Sequence, residues 1–196
     1  MLLNTFEFVL VNNPVRALFQ RHLEARRLLK MGGAVPGGHA LEIGCGRGVG
    51  VEIILDQFGA HLVDAFDLDP RMVRRAERRL QKYGERVSLW VGDATCINAP
   101  DATYDAVFDF DIIHHIPDWR MAVAEVFRVL KPGGRFYAEE MLKAFIHNPV
   151  ARALTDHPLE DRFDHIAFLG GLEAAGFSVR AEKKFLNYTG WYIAEK

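Results

Sequence analysis

The sequence predicts an α/β fold, an open and mostly parallel sheet with helices on both faces. Strand-like apolar runs alternate with single helix-like stretches, which implies parallel pairing through right-handed crossovers. The glycines and acids gather where those runs end, at the edge where such sheets bind ligands. With 196 residues, 49% of them hydrophobic and 26% charged, the chain can bury a continuous core as a single domain. The same composition excludes disordered, collagen-like and disulfide-scaffold classes.

The first element is a helix over residues 14–30 (PVRALFQRHLEARRLLK). Val15, Leu18, Phe19, His22, Leu23 and Leu29 recur near helical spacing with basic residues between them, and Pro14 suits a first turn. Glycines and a proline at 32–38 end it. A short apolar run at 40–43 is the first strand; it breaks into GCGRGVG at 44–50, and a helix follows over 49–58. Residues 61–66 form a strand ending at Asp67. Asp69 and Pro70 then supply a cap and first-turn proline for a helix to about residue 83. The next strand, 87–91, ends in Gly92-Asp93. A strand at 104–110 leads to a helix over 119–130, closed by Lys131-Pro132-Gly133-Gly134, and 135–141 is the fifth strand. After a helix over 163–175, strands at 178–186 and 191–194 are joined so closely that they must form an antiparallel hairpin. Residues 142–162 carry no clear pattern, but they follow the fifth strand and so lie at the ligand edge.

That edge collects Gly44, Cys45, Gly46, Arg47 and Gly48 after the first strand, Asp67 after the second, Asp93 after the third, and residues 109–115 after the fourth. Glycines there let backbone approach a ligand closely, and an acid about 20 residues on suits the hydroxyls of a ribose. The dinucleotide fingerprint G-x-G-x-x-G fails, because its third glycine would fall at Val49 or Val51. Glu42 at the strand mouth is a poor neighbour for pyrophosphate and a good one for an ammonium or sulfonium group. A net charge of −2 argues against nucleic acid as a partner. The arginines at 71, 74, 75, 78 and 79 oppose an apolar face and read as a solvated surface. Cys45 and Cys96 form no close pair and read as small fillers in a reducing compartment. No run is long enough to span a membrane, so a cytoplasmic location is expected. No metal-ligand spacing is present, and no metal is expected.

These motifs resemble those of class I S-adenosylmethionine-dependent methyltransferases of the ubiquinone/menaquinone-methyltransferase-like, small-molecule type. LEIGCGRG (41–48), FDLDPRM (66–72), GDAT (92–95), YDAVFDFDIIHHIPD (104–118) and LKPGGRF (130–136) occur in the family's order. The resemblance implies a Rossmann-like seven-stranded sheet of order 3-2-1-4-5-7-6 with strand seven antiparallel, and S-adenosylmethionine as cofactor, released as S-adenosylhomocysteine. It further implies that Gly44, Cys45, Gly46 and Gly48 line the methionine part of the cofactor, with Glu42 nearby. Asp67 would accept the ribose hydroxyls, Leu68 would pack on adenine, Asp93 would take the adenine amino group, and Ala94 would supply a backbone contact. Asp109 departs from the small or polar residue usual at its position; it either holds the ammonium or faces elsewhere.

Since methyl transfer from a sulfonium needs mainly alignment, dryness and removal of a proton, the family imposes no fixed triad. His114 and His115 are the candidates for acceptor binding or general base, and adjacent residues point apart, so at most one should face the sulfur. Glu139 and Glu140 end the fifth strand on opposite faces, and either could border the acceptor. The single domain is expected to carry an N-terminal helical lid segment (1–38) and a lid or acceptor connection (142–162). The acceptor pocket is expected from Phe6, Phe8 and Phe19, from His114 and His115, and from Phe145, Ile146 and His147; this suggests a small apolar or aromatic acceptor. RNA or protein methylation, or non-catalytic binding of S-adenosylmethionine, are the competing readings. The acceptor, its accepting atom and the oligomeric state stay open at this point.

Overall fold

A computed structural model describes residues 13–148 and 161–196. Its sheet has seven strands in the order β3-β2-β1-β4-β5-β7-β6. They are β1 (His39–Ile43), β2 (Leu62–Asp67), β3 (Val87–Val91), β4 (Tyr104–Phe110), β5 (Leu130–Met141), β6 (Ser178–Phe185) and β7 (Thr189–Glu195). The first five pair in parallel; β7 runs antiparallel to both β5 and β6. The expected order and hairpin are therefore the observed ones.

Helix α1 consists of Pro14–Phe19, a π-type segment Gln20–Glu24, and Ala25–Gly32. Helix α2 joins Val49–Ile53 to a π-type segment Ile54–Phe58. Helix α3 (Pro70–Leu80) is capped by the Asp69 side chain, which accepts from Arg71 N. Helix α4 spans Trp119–Val129, α5 is the short Lys143–Ile146, and α6 spans His165–Ala174. Two apolar layers sandwich the sheet. One packs Trp119, Val123, Val126, Phe136, Phe168 and Phe177 on one face. The other packs Leu28, Ile53, Phe58, Phe108, Tyr137 and Ile193 on the opposite face.

Two differences from the sequence reading have physical causes. Leu130 leaves helix α4 and pairs with Tyr104, so β5 starts before the Lys131–Gly134 turn instead of after it; a register shift then precedes Arg135↔Ala106. A helix-ending turn and a bulged strand use the same glycine-rich chemistry, and only the partner strand distinguishes them. The second concerns α1. Its apolar stripe faces outward, leaving Val15, Leu18, Phe19 and Leu23 exposed, while Ala25 and Leu28 pack inward with the polar Glu24. Periodicity identified the helix but not which side packs on the sheet, where the part-buried Arg16–Glu24 ion pair lies.

Candidate functional site

The carboxyl ends of β1, β2, β3 and β4 open onto a cavity of about 490 Å³, which reaches across to α1 and to Phe145 of α5. A second cavity, of about 450 Å³, lies away from these strand ends, between Ala34–Gly38 and Lys131–Arg135. Of the residues singled out from sequence, Glu42, Gly44, Cys45, Gly46, Asp67, Leu68, Asp93, Ala94, His114 and His115 line the first cavity. Gly48 and Asp109 do not. Gly48 adopts φ +83° at the start of α2, and a Cβ there would meet Leu80 Cδ1 at 2.8 Å, so this glycine permits close packing of α3. Asp109 is fully buried below the cavity, where Oδ1 accepts from Ile112 N at 2.9 Å and shapes the turn after β4.

The loop after β1 is arranged for close approach. Cys45 N donates to Phe66 O at 2.8 Å, and Gly46 N donates to Asp67 Oδ2 at 2.9 Å, tying the loop to the end of β2. Gly46 takes φ +52°, and no heavy atom of the protein lies within 4 Å of the position its Cβ would occupy. The other oxygen of Asp67 accepts from Asp69 N at 2.8 Å. Two backbone amides thus fix this carboxylate at the cavity wall. Leu68 beside it is 43% exposed, an apolar surface left for a ligand. At the end of β3, Asp93 Oδ1 accepts from Thr95 N (2.9 Å) and Thr95 Oγ1 (2.8 Å), an Asx turn that fixes the carboxylate at the cavity wall.

Buried acids dominate the electrostatics. Glu42 is 2% exposed, and its Oε2 lacks a hydrogen-bond partner among the described residues. Burial, and then the charge of Asp67, hold its carboxyl well above the usual carboxylate range. Burial and then Glu140 do the same to Asp109. Burial also pushes Glu140 up to about 8, although it accepts from Ile113 N (2.6 Å) and His114 N (3.2 Å); its Oε2 also lies 2.6 Å from His114 Nδ1. On the other face of β5, burial and then Asp111 raise Glu139. The alternation expected of Glu139 and Glu140 is present, with Glu140 toward His114 and Glu139 toward α1.

The sequence reading did not foresee Arg16. Its guanidinium reaches across from α1 to Glu24 Oε2 at 2.5 Å and to Asp111 Oδ2 at 2.9 Å. Burial pushes Glu24 up to about 7, reinforced by Asp111 and opposed by Arg16. Asp111 itself sits in the left-handed region at φ +65°, its N–H donating to Glu139 O at 2.9 Å. Holding a non-glycine residue there costs energy that the surrounding contacts must supply, and such residues concentrate at functional sites. Arg16, Ala17 and Gln20 line the cavity together with Asp111. The π-type turn at Gln20–Glu24 accompanies this inward face, a distortion frequent at functional sites. Arg16 and Asp111 lie 95 residues apart, and no local pattern links them.

The two histidines sit side by side. Both residues line the cavity, with ring centroids 4.2 Å apart. His114 is anchored by a carboxylate, through Nδ1 to Glu140. Of the expected pocket aromatics, Phe145 lines the cavity, while Phe19 is 51% exposed and turned away; Ile146 is buried outside the lining and His147 is exposed. Phe6 and Phe8, and most of the 142–162 connection, lie outside the described residues. Both cysteines are free thiols; Cys45 is the small buried filler expected, whereas Cys96, also expected to be buried, is exposed in the turn after β3.

This set of raised carboxyls makes a prediction about stability. Glu24 and Glu140 hold protons in the folded chain that the unfolded chain gives up near the ordinary value of 4.5, so their contribution to stability is present at low pH and lost as pH rises toward about 7 and 8. Each group contributes a slope of about 1.4 kcal/mol per pH unit while only its folded form is protonated. The thermal midpoint of the ligand-free chain should therefore fall between about pH 5 and pH 8. Glu24→Gln should flatten the fall in scanning calorimetry; a midpoint rising over that range would contradict it.

Residues 40–134 match the family model described as "Methyltransferase domain". The chain is 36% identical over 107 residues to phosphoethanolamine N-methyltransferase 2 of Caenorhabditis elegans, covering 54% of this chain and 24% of that protein. It is 30% identical over 150 residues to the 2-methyl-6-phytyl-1,4-hydroquinone methyltransferase of Synechocystis, covering 72% of this chain and 46% of that one. The chain thus spans less than half the length of these curated relatives. Among solved structures, a SAM-dependent methyltransferase from Aquifex aeolicus superposes with a TM-score of 0.76 at 22% identity over 96% of both chains, a likeness of fold.

Proposed function

We propose, from the premise that this chain carries a class I S-adenosylmethionine-dependent methyltransferase domain, that it transfers the cofactor's methyl group to a small apolar or aromatic acceptor by in-line displacement. One observation carries the cofactor side of the reading: Glu42 presents a buried carboxylate oxygen without a hydrogen-bond partner among the described residues, on a wall that also holds Gly46 and Asp67. An unpaired buried carboxyl is costly, and a cationic ligand would relieve it. S-adenosylmethionine supplies a sulfonium-activated methyl group and an ammonium of that charge. Its ribose would rest on Asp67, its adenine between Leu68, Asp93 and Ala94, and its methionine part against Gly44, Cys45 and Gly46. Gly48 and Asp109 would act behind this surface, one through helix packing and the other through the β4 turn.

On the acceptor side, His114, His115, Ile116, Met141 and Phe145 line the same cavity. Apolar walls suit a small lipophilic or aromatic acceptor and keep water out. The relatives with named hydroquinone, fatty-acid and sterol substrates support this class for their own chains and make it the reading preferred here. With Nδ1 donating to Glu140, His114 would hold Nε2 as its basic nitrogen and take the acceptor's proton during transfer. Helix α1 would close the cavity as a lid through Arg16. RNA or protein as acceptor is less well supported: Arg71 and Arg79 of the basic helix are engaged by Asp69 and Glu52.

The test of the cofactor assignment is Asp67→Ala. Charge-assisted hydrogen bonds of this kind are worth about 1.5–3 kcal/mol, so calorimetric affinity for S-adenosylmethionine should fall roughly 10- to 150-fold, with the circular-dichroism spectrum retained. Unchanged affinity would remove Asp67 from the site.

A further inference from the structure

We propose that the outward face of α1 is a docking surface for an anionic lipid bilayer. A helix laid along a protein normally buries its apolar stripe; α1 does the reverse. Val15, Leu18, Phe19 and Leu23 are 70%, 57%, 51% and 56% exposed. Their spacing places them on one side of the helix, and the opposite side is already engaged, with Arg16, Ala17 and Gln20 on the cavity and Leu28 in the core. Nothing in the described fold needs this apolar surface. Contiguous exposed apolar residues of this size mark interaction sites.

The charge on the same helix selects the partner. Between residues 13 and 32 the sole acid is Glu24, which is buried against Arg16. The outward face continues past the apolar residues to Arg26 and Lys30, both exposed, with no acid beside them on the helix. An apolar half followed by cations is the pattern of a helix that lies in the headgroup region of an anionic membrane. A second copy fits poorly, because a symmetric pairing of this face would bring cations together without a counter-charge. The turn between β6 and β7, at the cavity's end of the sheet, exposes Phe185 (60%) and Leu186 (71%) and adds apolar surface near the same edge. No helix among the described residues is long and apolar enough to cross a membrane, so contact would be along the surface. Since the inner face of α1 lines the cavity, a bilayer-bound helix would hold the cavity mouth at the lipid surface. That last consequence rests on the proposed lipophilic acceptor; the docking itself does not.

The test is co-sedimentation of the full chain with vesicles of phosphatidylcholine alone and of equal parts phosphatidylcholine and phosphatidylglycerol. Binding to the anionic vesicles, weakened by salt, is expected. Leu18→Glu with Leu23→Glu should reduce it on the order of tenfold or more, and Arg26→Glu with Lys30→Glu should abolish the preference for anionic lipid. Both variants should keep wild-type affinity for S-adenosylmethionine, since these side chains point away from the cavity, and this verifies folding. Absence of sedimentation with either vesicle would overturn the proposal, as would binding that the leucine variants leave unchanged. A concentration-dependent dimer in ultracentrifugation, lost in L18E and without vesicle binding, would overturn it in favour of a second copy. Vesicle binding is read without methyl transfer, so either idea can fail alone.

Discussion

A valine at position 46 is expected to weaken binding of S-adenosylmethionine by about a hundredfold or more while leaving the chain folded. The Cβ position of Gly46 has no protein atom within 4 Å, so the added side chain meets the cavity and no neighbour in the fold. Its φ of +52° makes any L-residue pay a backbone cost of about 1–2 kcal/mol, a loss of roughly 2–8 °C in thermal midpoint for a chain of this size. The effect on the ligand is of another order, because backbone that had approached it is replaced by two methyl groups. Affinity should fall by about a hundredfold or more, the result of displacing a ligand by a few kcal/mol. Gly46→Ala should lie between. Wild-type affinity in the valine variant would mean that this loop does not touch the cofactor.

Glu140→Gln is expected to slow turnover by about a hundredfold, at the low end of what general-base catalysis contributes, with little effect on S-adenosylmethionine affinity. Glu140 stands behind His114 and outside the cavity lining, so with His114 as the proposed base it would act as a positioning residue. Two backbone N–H groups donate to its carboxylate, one to each oxygen, and glutamine can keep one of them through its single amide oxygen. The change falls on proton affinity. Burial holds the Glu140 carboxyl at about 8, so below that pH it is largely neutral and cannot stabilise positive charge on the imidazole beside it. Turnover in the native chain should therefore rise with pH toward about 8 and level off above it. Glu140→Gln should displace that limb. A variant that loses thermal stability but keeps the native pH profile would assign Glu140 to structure alone.

The fold was legible because its signals are local. Alternating strands and helices, Asp69-Pro70 at the start of α3, and the short link between β6 and β7 each act within a few residues, and each formed as expected. Most of the candidate cofactor residues could be singled out for the same reason: in this topology the ends of β1, β2 and β3 converge, so Gly46, Asp67 and Asp93 meet whatever their separation in sequence. Two kinds of feature were hidden. Gly48 and Asp109 belong to the right segments, yet a glycine needed for packing and one needed for a ligand look alike until the neighbouring Leu80 is seen. Arg16, Glu24 and Asp111 form their cluster across distant elements, and that cluster orients α1 with its apolar stripe outward. Hydrophobic periodicity reports that a helix has two faces; which one is buried depends on partners that periodicity does not contain.

Methyl transfer from S-adenosylmethionine to a small apolar or aromatic acceptor is tested by incubating the full chain with methyl-labelled S-adenosylmethionine and cell extract, followed by separation into solvent-extractable small molecules, RNA and protein. Enzyme-dependent label in the small-molecule fraction, absent with Gly46→Val, is the predicted result. Label confined to RNA or protein would contradict the acceptor class, and cofactor binding without transfer into any fraction would contradict the transfer itself.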